Sequence, residues 1–161
     1  MKQQKINAMR ILEQKKIPYT VHEYPHGDAP VDGVTVAHLT GTDEAAVFKT
    51  LVAVGASGQH YVFCVPVAKE LDLKKAAKSV GEKSVALVHV REITPLTGYV
   101  RGGCSPVGMK KQFPTVFDRS VETLPAVCVS GGRIGTQIEA APDALLPLVR
   151  AATADITVAD G

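Results

Sequence analysis

The chain has 161 residues, the length of one ordinary domain, and its hydrophobic content of 45% and charged content of 21% are typical of a globular protein. No apolar run reaches the roughly 20 residues of a membrane span, and the charged N-terminus lacks the apolar stretch of a secretory signal, so we expect a cytoplasmic protein without membrane partners. The three cysteines form no C-x-x-C pair, which argues against disulfides and zinc, and the net charge of +2 is too small to indicate nucleic acid.

The first half of the chain predicts two helices and three strands. An apolar stripe favours a helix over residues 2–16, which Pro18 ends. A strand follows over residues 19–24. Residues 32–41 could form a strand or a short helix, and a capping Asp32 with a closing Gly41 favours the helix. The next two strands, over residues 47–54 and 61–67, are joined by a glycine-containing turn.

The second half continues this pattern of short elements. Asp72 caps a helix over residues 72–80, which Gly81 ends. The remaining predictions are strands at 84–88, 115–117, 126–129 and 137–140, a helical turn at 91–96, a glycine-rich loop at 98–108, and a last helix at 143–151 that contains Pro147. Strands follow one another more often than they alternate with helices, which predicts a single α+β domain over residues 1–161 with a mixed, largely antiparallel sheet, able to curl into a barrel, instead of a Rossmann fold.

Lys49 is the first candidate for chemistry. It interrupts an apolar strand, and period-two alternation places apolar side chains on both faces of that strand. Buried lysines are rare without a partner or a function. The alternative is that the aliphatic stem carries the ammonium to the edge of the sheet.

Two glycine-containing loops are further candidates. The loop at 98–108 can offer backbone N–H groups to an oxyanion or a phosphate, and Ser130, Gly131 and Gly132 follow a strand where a ligand could approach closely. Taken alone, each loop is better explained as an ordinary turn. Lysines and arginines at positions 74, 75, 78, 83, 101, 110 and 111 could contact phosphates or could simply be solvated.

Cys104 and the histidines are weaker candidates. A nucleophilic Cys104 needs a histidine base, and no spacing selects one. His22 and His26 flank Tyr24 and could be metal ligands, but ordinary surface histidines are the better interpretation, so we predict neither a metal nor a cofactor.

Several ordered motifs resemble one known family. The motifs are FKTL at 48–51, LDLKKAAK at 71–78, TGY at 97–99, GGCSPVG at 102–108 and VSGG at 129–132. Together they cover almost the whole chain. They resemble the YbaK/EbsC family of single-domain aminoacyl-tRNA deacylases, which is related to the editing domain of bacterial prolyl-tRNA synthetase.

The resemblance implies a barrel-like sheet flanked by helices and a trans-editing deacylase acting on mischarged tRNA, most of all Cys-tRNA(Pro). It assigns Lys49 as the essential lysine and brings Gly102 to the aminoacyl ester. The other substrate-binding positions that we assign are Tyr24, Thr50, Gly103, Ser130 and Gly131. Thr50 can share a pocket with Lys49 only if the strand bends or bulges. The family often carries other residues at Asp32 and Gln137, which leaves the amino-acid specificity open.

The implied reaction is cleavage of the ester at the tRNA 3′ end. The partners are an aminoacylated tRNA and, as a further expectation, prolyl-tRNA synthetase. The sequence offers no convincing nucleophile or base. The resemblance implies that the thiol of a cysteine substrate attacks its own carbonyl. The alternatives are a deacylase for alanine or another small amino acid, a binding module without chemistry, and a hydrolase that uses Cys104.

Overall fold

The structure, a computed structural model, describes residues 7–159. It contains five α-helices among these residues, and two short 3-10 turns at Glu44–Ala46 and Arg119–Thr123. The helices are α1 Asn7–Gln14, α2 Gly33–Thr40, α3 Leu73–Ser79, α4 Val90–Thr97 and α5 Pro142–Leu148. None of the helices within this range is both long enough and apolar enough to cross a bilayer.

Eight strands form two sheets within the described residues. The strands are β1 Thr20–Glu23, β2 Phe48–Gly55, β3 His60–Pro66, β4 Val85–Leu87, β5 Thr115–Asp118, β6 Val127–Ser130, β7 Thr136–Ala140 and β8 Ala151–Ala154. One sheet has the order β1-β7-β6 and is antiparallel. The other has the order β4-β2-β3-β5-β8, in which β5 pairs in parallel with both of its neighbours. The α+β class and the mixed, largely antiparallel sheet are therefore confirmed.

The described strands form two separate sheets and do not close into a barrel. A single parallel bridge between Val47 and Cys128 joins the start of β2 to β6. The largest cluster of buried side chains draws on α1 and on both sheets, and it includes Leu12, Phe48, Phe117 and Ile138. Branched aliphatic residues supply most of this core, as expected for a chain without tryptophan.

The helix between 32 and 41 is confirmed, because both ends carry the predicted caps. The Asp32 carboxylate accepts a hydrogen bond from the Thr35 N–H at 3.0 Å, and Gly41 adopts the left-handed conformation that ends the helix. Asp72 caps α3 in the same way through the N–H groups of Lys74 and Lys75. Short polar side chains therefore set where these helices begin.

The C-terminal prediction was wrong in part. The predicted helix over 143–151 ends at Leu148, one residue after Pro147, and Arg150 has a φ of 55° that a helix does not tolerate. The chain then forms β8, which pairs in parallel with β5. The first predicted helix, over residues 2–16, is present from Asn7 to Gln14, and the part of the prediction that covers residues 2–6 lies outside the described residues.

Candidate active site

A cavity of about 360 Å³ lies where β2 faces the three-stranded sheet. Its wall is formed by β2, by Ser130 and Gln137 of the three-stranded sheet, by the start of α2, by α4, and by the glycine-rich loop. A volume of this size is within the range of small-ligand pockets. The fold therefore provides one ligand-sized space beside the strand that carries Lys49.

The open edge of β2 explains why consecutive residues line this cavity. Strand β4 pairs only with Ala53–Gly55, which leaves the edge from Phe48 to Leu51 without a strand partner among the described residues. On its other side β2 pairs with β3 from Phe48 to Val54 without a skipped residue. Lys49 and Thr50 both line the cavity because it adjoins the strand edge, so the bend or bulge that we expected is not needed.

Lys49 is half-buried and lines the cavity. Within residues 7–159 its ammonium has no hydrogen-bond acceptor and no ion-pair partner. The residues that line the cavity include a second cation, Arg101, and none of them is a carboxylate. An anionic group entering this space would meet uncompensated positive charge next to apolar walls, where electrostatic attraction is stronger than in water.

Gly102 brings the backbone of the glycine-rich loop to the cavity wall. Its φ is 83°, and a Cβ added there would lie 2.6 Å from Cβ of Pro30. Both the left-handed backbone and the close approach therefore require glycine. The Gly102 N–H donates no hydrogen bond to another described residue, so it is available to a ligand oxygen.

Three other predicted residues also line the cavity: Tyr24, Thr50 and Ser130. The Tyr24 N–H is held by the Gly135 carbonyl at 3.0 Å, which anchors the end of β1 against the β6–β7 turn. The Thr50 hydroxyl accepts a weak hydrogen bond from the Cys64 thiol at 3.7 Å, and the Ser130 hydroxyl accepts one from the Gly132 N–H at 3.2 Å. Both hydroxyl hydrogens are left for a ligand.

Gly103 and Gly131 lie behind the cavity wall. A Cβ on Gly103 would lie 2.8 Å from Cα of Arg133, so this glycine lets the loop pack against the β6–β7 turn. The Gly131 N–H closes that turn by donating to the Thr136 carbonyl at 2.9 Å. The structure therefore places these two predicted binding residues in supporting positions and not among the lining residues.

Cys104 lines the cavity but is poorly suited to be a nucleophile. Burial raises the pKa of its thiol to about 11, so almost none of it is thiolate near neutral pH. None of the described residues that line the cavity is a histidine, which leaves this thiol without the base that a cysteine hydrolase needs.

Asp32 and Gln137 were both expected to shape the pocket, and only Gln137 lines the cavity. Asp32 is exposed and does not line the cavity, because its carboxylate turns back onto α2 as the helix cap. Gln137 does line it, with only 8% of the residue exposed. Its Oε1 is the one buried side-chain oxygen or nitrogen among residues 7–159 that lacks a hydrogen-bond partner. Such an atom costs stability unless a ligand supplies a donor.

Comparison with known proteins identifies the family. The family described as "Aminoacyl-tRNA editing domain" matches residues 31–148, a range that contains every cavity residue except Tyr24. The chain belongs to this family.

Individual relatives agree with this assignment. The chain is 45% identical over 155 residues to EbsC of Enterococcus faecalis, a protein named a Cys-tRNA(Pro)/Cys-tRNA(Cys) deacylase, and the match covers 96% of this chain and 94% of that one. A crystal structure described as a trans-editing enzyme for prolyl-tRNA synthetase superposes with a TM-score of 0.82 at 29% identity, covering 98% of this chain and 100% of that one. The crystal structure of a hypothetical protein superposes with a TM-score of 0.84 at 25% identity, covering 95% of this chain and 100% of that one.

The basic residues of this editing domain are not all free to meet a tRNA. Lys75 is paired with Asp155 at 3.2 Å and donates to the Thr157 carbonyl at 2.8 Å, so it stabilises the fold. Lys74, Lys78, Lys83, Arg101, Lys110 and Lys111 are exposed. Arg101 also lines the cavity. No local sequence pattern distinguishes it from the other surface cations, so the sequence alone could not predict this position.

Proposed function

We propose that this editing domain removes cysteine from mischarged tRNA(Pro) by cleaving the ester between the amino acid and the 3′-terminal adenosine. The observation that carries the proposal is that two donors belong to residues lining one largely apolar cavity, the Lys49 ammonium and the Gly102 N–H, and that neither has a partner among residues 7–159. Both groups are hydrogen-bond donors. None of the lining residues carries a carboxylate or an imidazole that would compete with a ligand for them.

Each donor has a separate task in this proposal. Lys49 binds the phosphate or sugar oxygens of the terminal adenosine and thereby fixes the ester next to the glycine-rich loop. The Gly102 N–H stabilises the negative charge that develops on the carbonyl oxygen, an effect worth about 3–4 kcal/mol for one well-placed donor. Tyr24, Thr50 and Ser130 line the same cavity, and in this proposal their hydroxyls orient the amino-acid portion.

The absence of a base among the lining residues favours attack by the thiol of the substrate itself. The cysteine sulfur forms a bond to its own carbonyl carbon, the ester C–O bond breaks, and the thiol proton ends on the 3′ oxygen of the released tRNA. The cyclic thioester that results is then hydrolysed by water to free cysteine. In this mechanism the protein only positions and polarises the ester, which matches the groups that line the cavity.

The relatives support both the reaction and the substrate. The Enterococcus faecalis relative carries a name that specifies Cys-tRNA(Pro) and Cys-tRNA(Cys), and the match extends over nearly all of both chains. The structural relative described as a trans-editing enzyme for prolyl-tRNA synthetase supports a second, finer proposal, namely that this chain acts beside that synthetase. Co-sedimentation of the chain with prolyl-tRNA synthetase, with and without tRNA, tests that association, and independent sedimentation in both cases would contradict it.

A deacylation assay tests the proposed reaction. One tRNA(Pro) preparation is charged separately with cysteine, alanine and serine, and release of each amino acid is followed over time. We expect rapid loss of cysteine and slow loss of serine, whose hydroxyl is a poorer nucleophile than a thiol. Equal rates for alanine would show that no substrate thiol is required, and retention of every ester with tight binding would identify a binding module.

The same assay on Lys49→Ala, with Lys15→Ala as the matched control, tests the assignment of the lysine. Lys15 is an exposed lysine that follows α1 and does not line the cavity. We expect loss of deacylation only in the Lys49 variant, with both variants folded by circular dichroism. Full activity of Lys49→Ala would overturn the assignment.

A further inference from the structure

Three metal-ligating side chains meet on the three-stranded sheet, outside the cavity. They are His22 of β1, Glu139 of β7 and Cys128 of β6, and each offers one ligand atom within 4.8 Å of the other two. The His22 Nε2 lies 2.8 Å from a Glu139 carboxylate oxygen, and these residues are 117 positions apart in sequence. The cluster therefore depends on the tertiary fold, and no local spacing in the sequence could indicate it.

The strand register explains why these side chains share a face. Glu139 is paired with Cys128 on one side and with Thr20 on the other, and His22 follows Thr20 by two residues. Because successive side chains alternate between faces, all three project from the same side of the sheet. Their neighbours two residues along the strands are Tyr24, Gln137 and Ser130, which line the cavity. The cluster is thus the adjacent row of the same sheet face.

The donor set and its burial suit a divalent transition-metal ion. Imidazole, thiolate and carboxylate are the ligand types that bind Zn²⁺, and three protein ligands leave one position for water. Ligand atoms around a tetrahedral zinc are roughly 3.3–3.7 Å apart, so the observed separations require only small side-chain adjustments. The Cys128 residue is 1% exposed, whereas the side chains of His22 and Glu139 are 23% and 32% exposed, which leaves an entry path from solvent.

Charge balance also favours a dication. A thiolate, a carboxylate and a neutral imidazole carry two negative charges together, and one divalent ion neutralises them in a site where the sulfur is buried. On binding, the Cys128 thiol proton is released to solvent as the metal–sulfur bond forms.

We propose that His22, Cys128 and Glu139 form a binding site for a divalent transition-metal ion, preferably Zn²⁺, one strand row away from the cavity. The site is independent of the proposed deacylation, since none of its three ligands lines the cavity.

Cobalt titration of the tag-free, full-length protein tests the site. After dialysis against a chelator, Co²⁺ is added, and absorption from thiolate-to-cobalt charge transfer is measured together with the visible bands of tetrahedral cobalt. We expect saturation at one ion per chain and displacement of the cobalt by Zn²⁺. Failure of the wild-type protein to develop the thiolate band would overturn the proposal.

Variants identify the sulfur ligand. Cys128→Ser should abolish the charge-transfer band, whereas Cys104→Ser, which alters another buried cysteine, should retain it. His22→Ala and Glu139→Gln should each weaken Zn²⁺ binding by at least about tenfold in competition with a chromophoric chelator. Retention of the band in Cys128→Ser, or its loss in Cys104→Ser, would contradict the assignment.

Thermal unfolding provides a readout that does not depend on the optical bands. A metal that binds only the folded protein raises its Tm as the free metal concentration rises. We expect Zn²⁺ to raise the Tm of the wild type and of Cys104→Ser but not that of Cys128→Ser. Equal shifts in all three proteins would mean that zinc binds elsewhere, and the proposal would fail.

Discussion

Two lysines in this protein have opposite surroundings. Lys75 on α3 is one-third exposed, lies 3.2 Å from the Asp155 carboxylate and donates to the Thr157 carbonyl. Lys49 on β2 is half-buried among mostly apolar residues and has no partner within residues 7–159. The first ammonium is satisfied by the fold, whereas the second has no partner among the described residues, and this is why we propose it as a ligand contact.

The same contrast appears among the buried and half-buried acceptors. The Glu82 carboxylate accepts hydrogen bonds from the Ser57 N–H, the Ser57 hydroxyl and the Tyr61 hydroxyl, at 3.1, 2.5 and 2.6 Å. The Gln137 Oε1 beside the cavity accepts none from any described residue. The Glu82 carboxylate is therefore satisfied within the fold, whereas Gln137 at the cavity wall carries a buried acceptor that costs stability unless a donor is supplied.

Replacing Lys49 or Lys75 by alanine should give the largest difference between an effect on activity and an effect on stability. We expect Lys49→Ala to lower kcat/KM for Cys-tRNA(Pro) about a thousandfold, since one preorganised electrostatic contact contributes up to that factor. Its Tm should not fall, because no partner is lost. Lys75→Ala should keep its activity and lose about 0.5–1 kcal/mol of stability, the value of a partly exposed ion pair. Deacylation kinetics and chemical denaturation of both variants measure the difference.

Two glycines with left-handed backbones give the next largest contrast. Gly102→Ala should lower kcat about a hundredfold by displacing the N–H that we propose to bind the carbonyl oxygen. Gly81→Ala is the matched control, because its φ of 73° imposes similar strain while its Cβ would meet nothing within 4 Å. Gly81→Ala should lose about 1–2 kcal/mol of stability from the unfavourable φ, and Gly102→Ala should lose more, because its Cβ also meets Pro30. Equal activities in the two variants would show that Gly102 has no role beyond the turn.

The sequence predicts those parts of the site that local patterns encode. Lys49 is conspicuous because it interrupts an apolar strand, and the caps Asp32 and Asp72 lie directly before their helices. Strand β8 could not be predicted, because its alanines favour a helix and only parallel pairing with β5 makes it a strand.

Tertiary contacts explain the remaining differences. Gly103 and Gly131 belong to glycine motifs, but a glycine can permit close approach of another backbone as well as of a ligand, and the sequence does not distinguish these uses. Gln137 sits in a strand whose alternation predicts its face but not the absence of a partner for its oxygen. The neighbouring His22, Cys128 and Glu139 come together only through strand register.

Replacing Gln137, whose side-chain oxygen lacks a partner, should affect activity less than Gly102→Ala does, and it should raise stability where Gly102→Ala lowers it. We expect Gln137→Leu to raise KM about tenfold, because a ligand donor loses an acceptor worth about 1–3 kcal/mol. The same change should raise the Tm, since it removes a buried oxygen without a partner. Kinetics and thermal unfolding of one preparation test both signs, and a lower Tm with unchanged KM would contradict the role of Gln137 as a ligand acceptor.

The satisfied carboxylate should affect only stability, with a defined dependence on pH. Hydrogen bonds from Ser57 and Tyr61 hold the pKa of Glu82 below its ordinary value of 4.5. Because the folded-state pKa is the lower one, the stabilisation is present above the unfolded pKa and is lost as the pH falls through the folded pKa. Glu82→Gln should therefore unfold at a lower temperature than the wild type at pH 7, and the two Tm values should converge below about pH 4.5. Deacylation should be unchanged, since Glu82 does not line the cavity. The Glu82 side chain also packs against Gly55, where an added Cβ would overlap Glu82 Cδ. A Tm difference that stays constant between pH 7 and about pH 4 would mean that this packing, and not the charge on Glu82, provides the stabilisation.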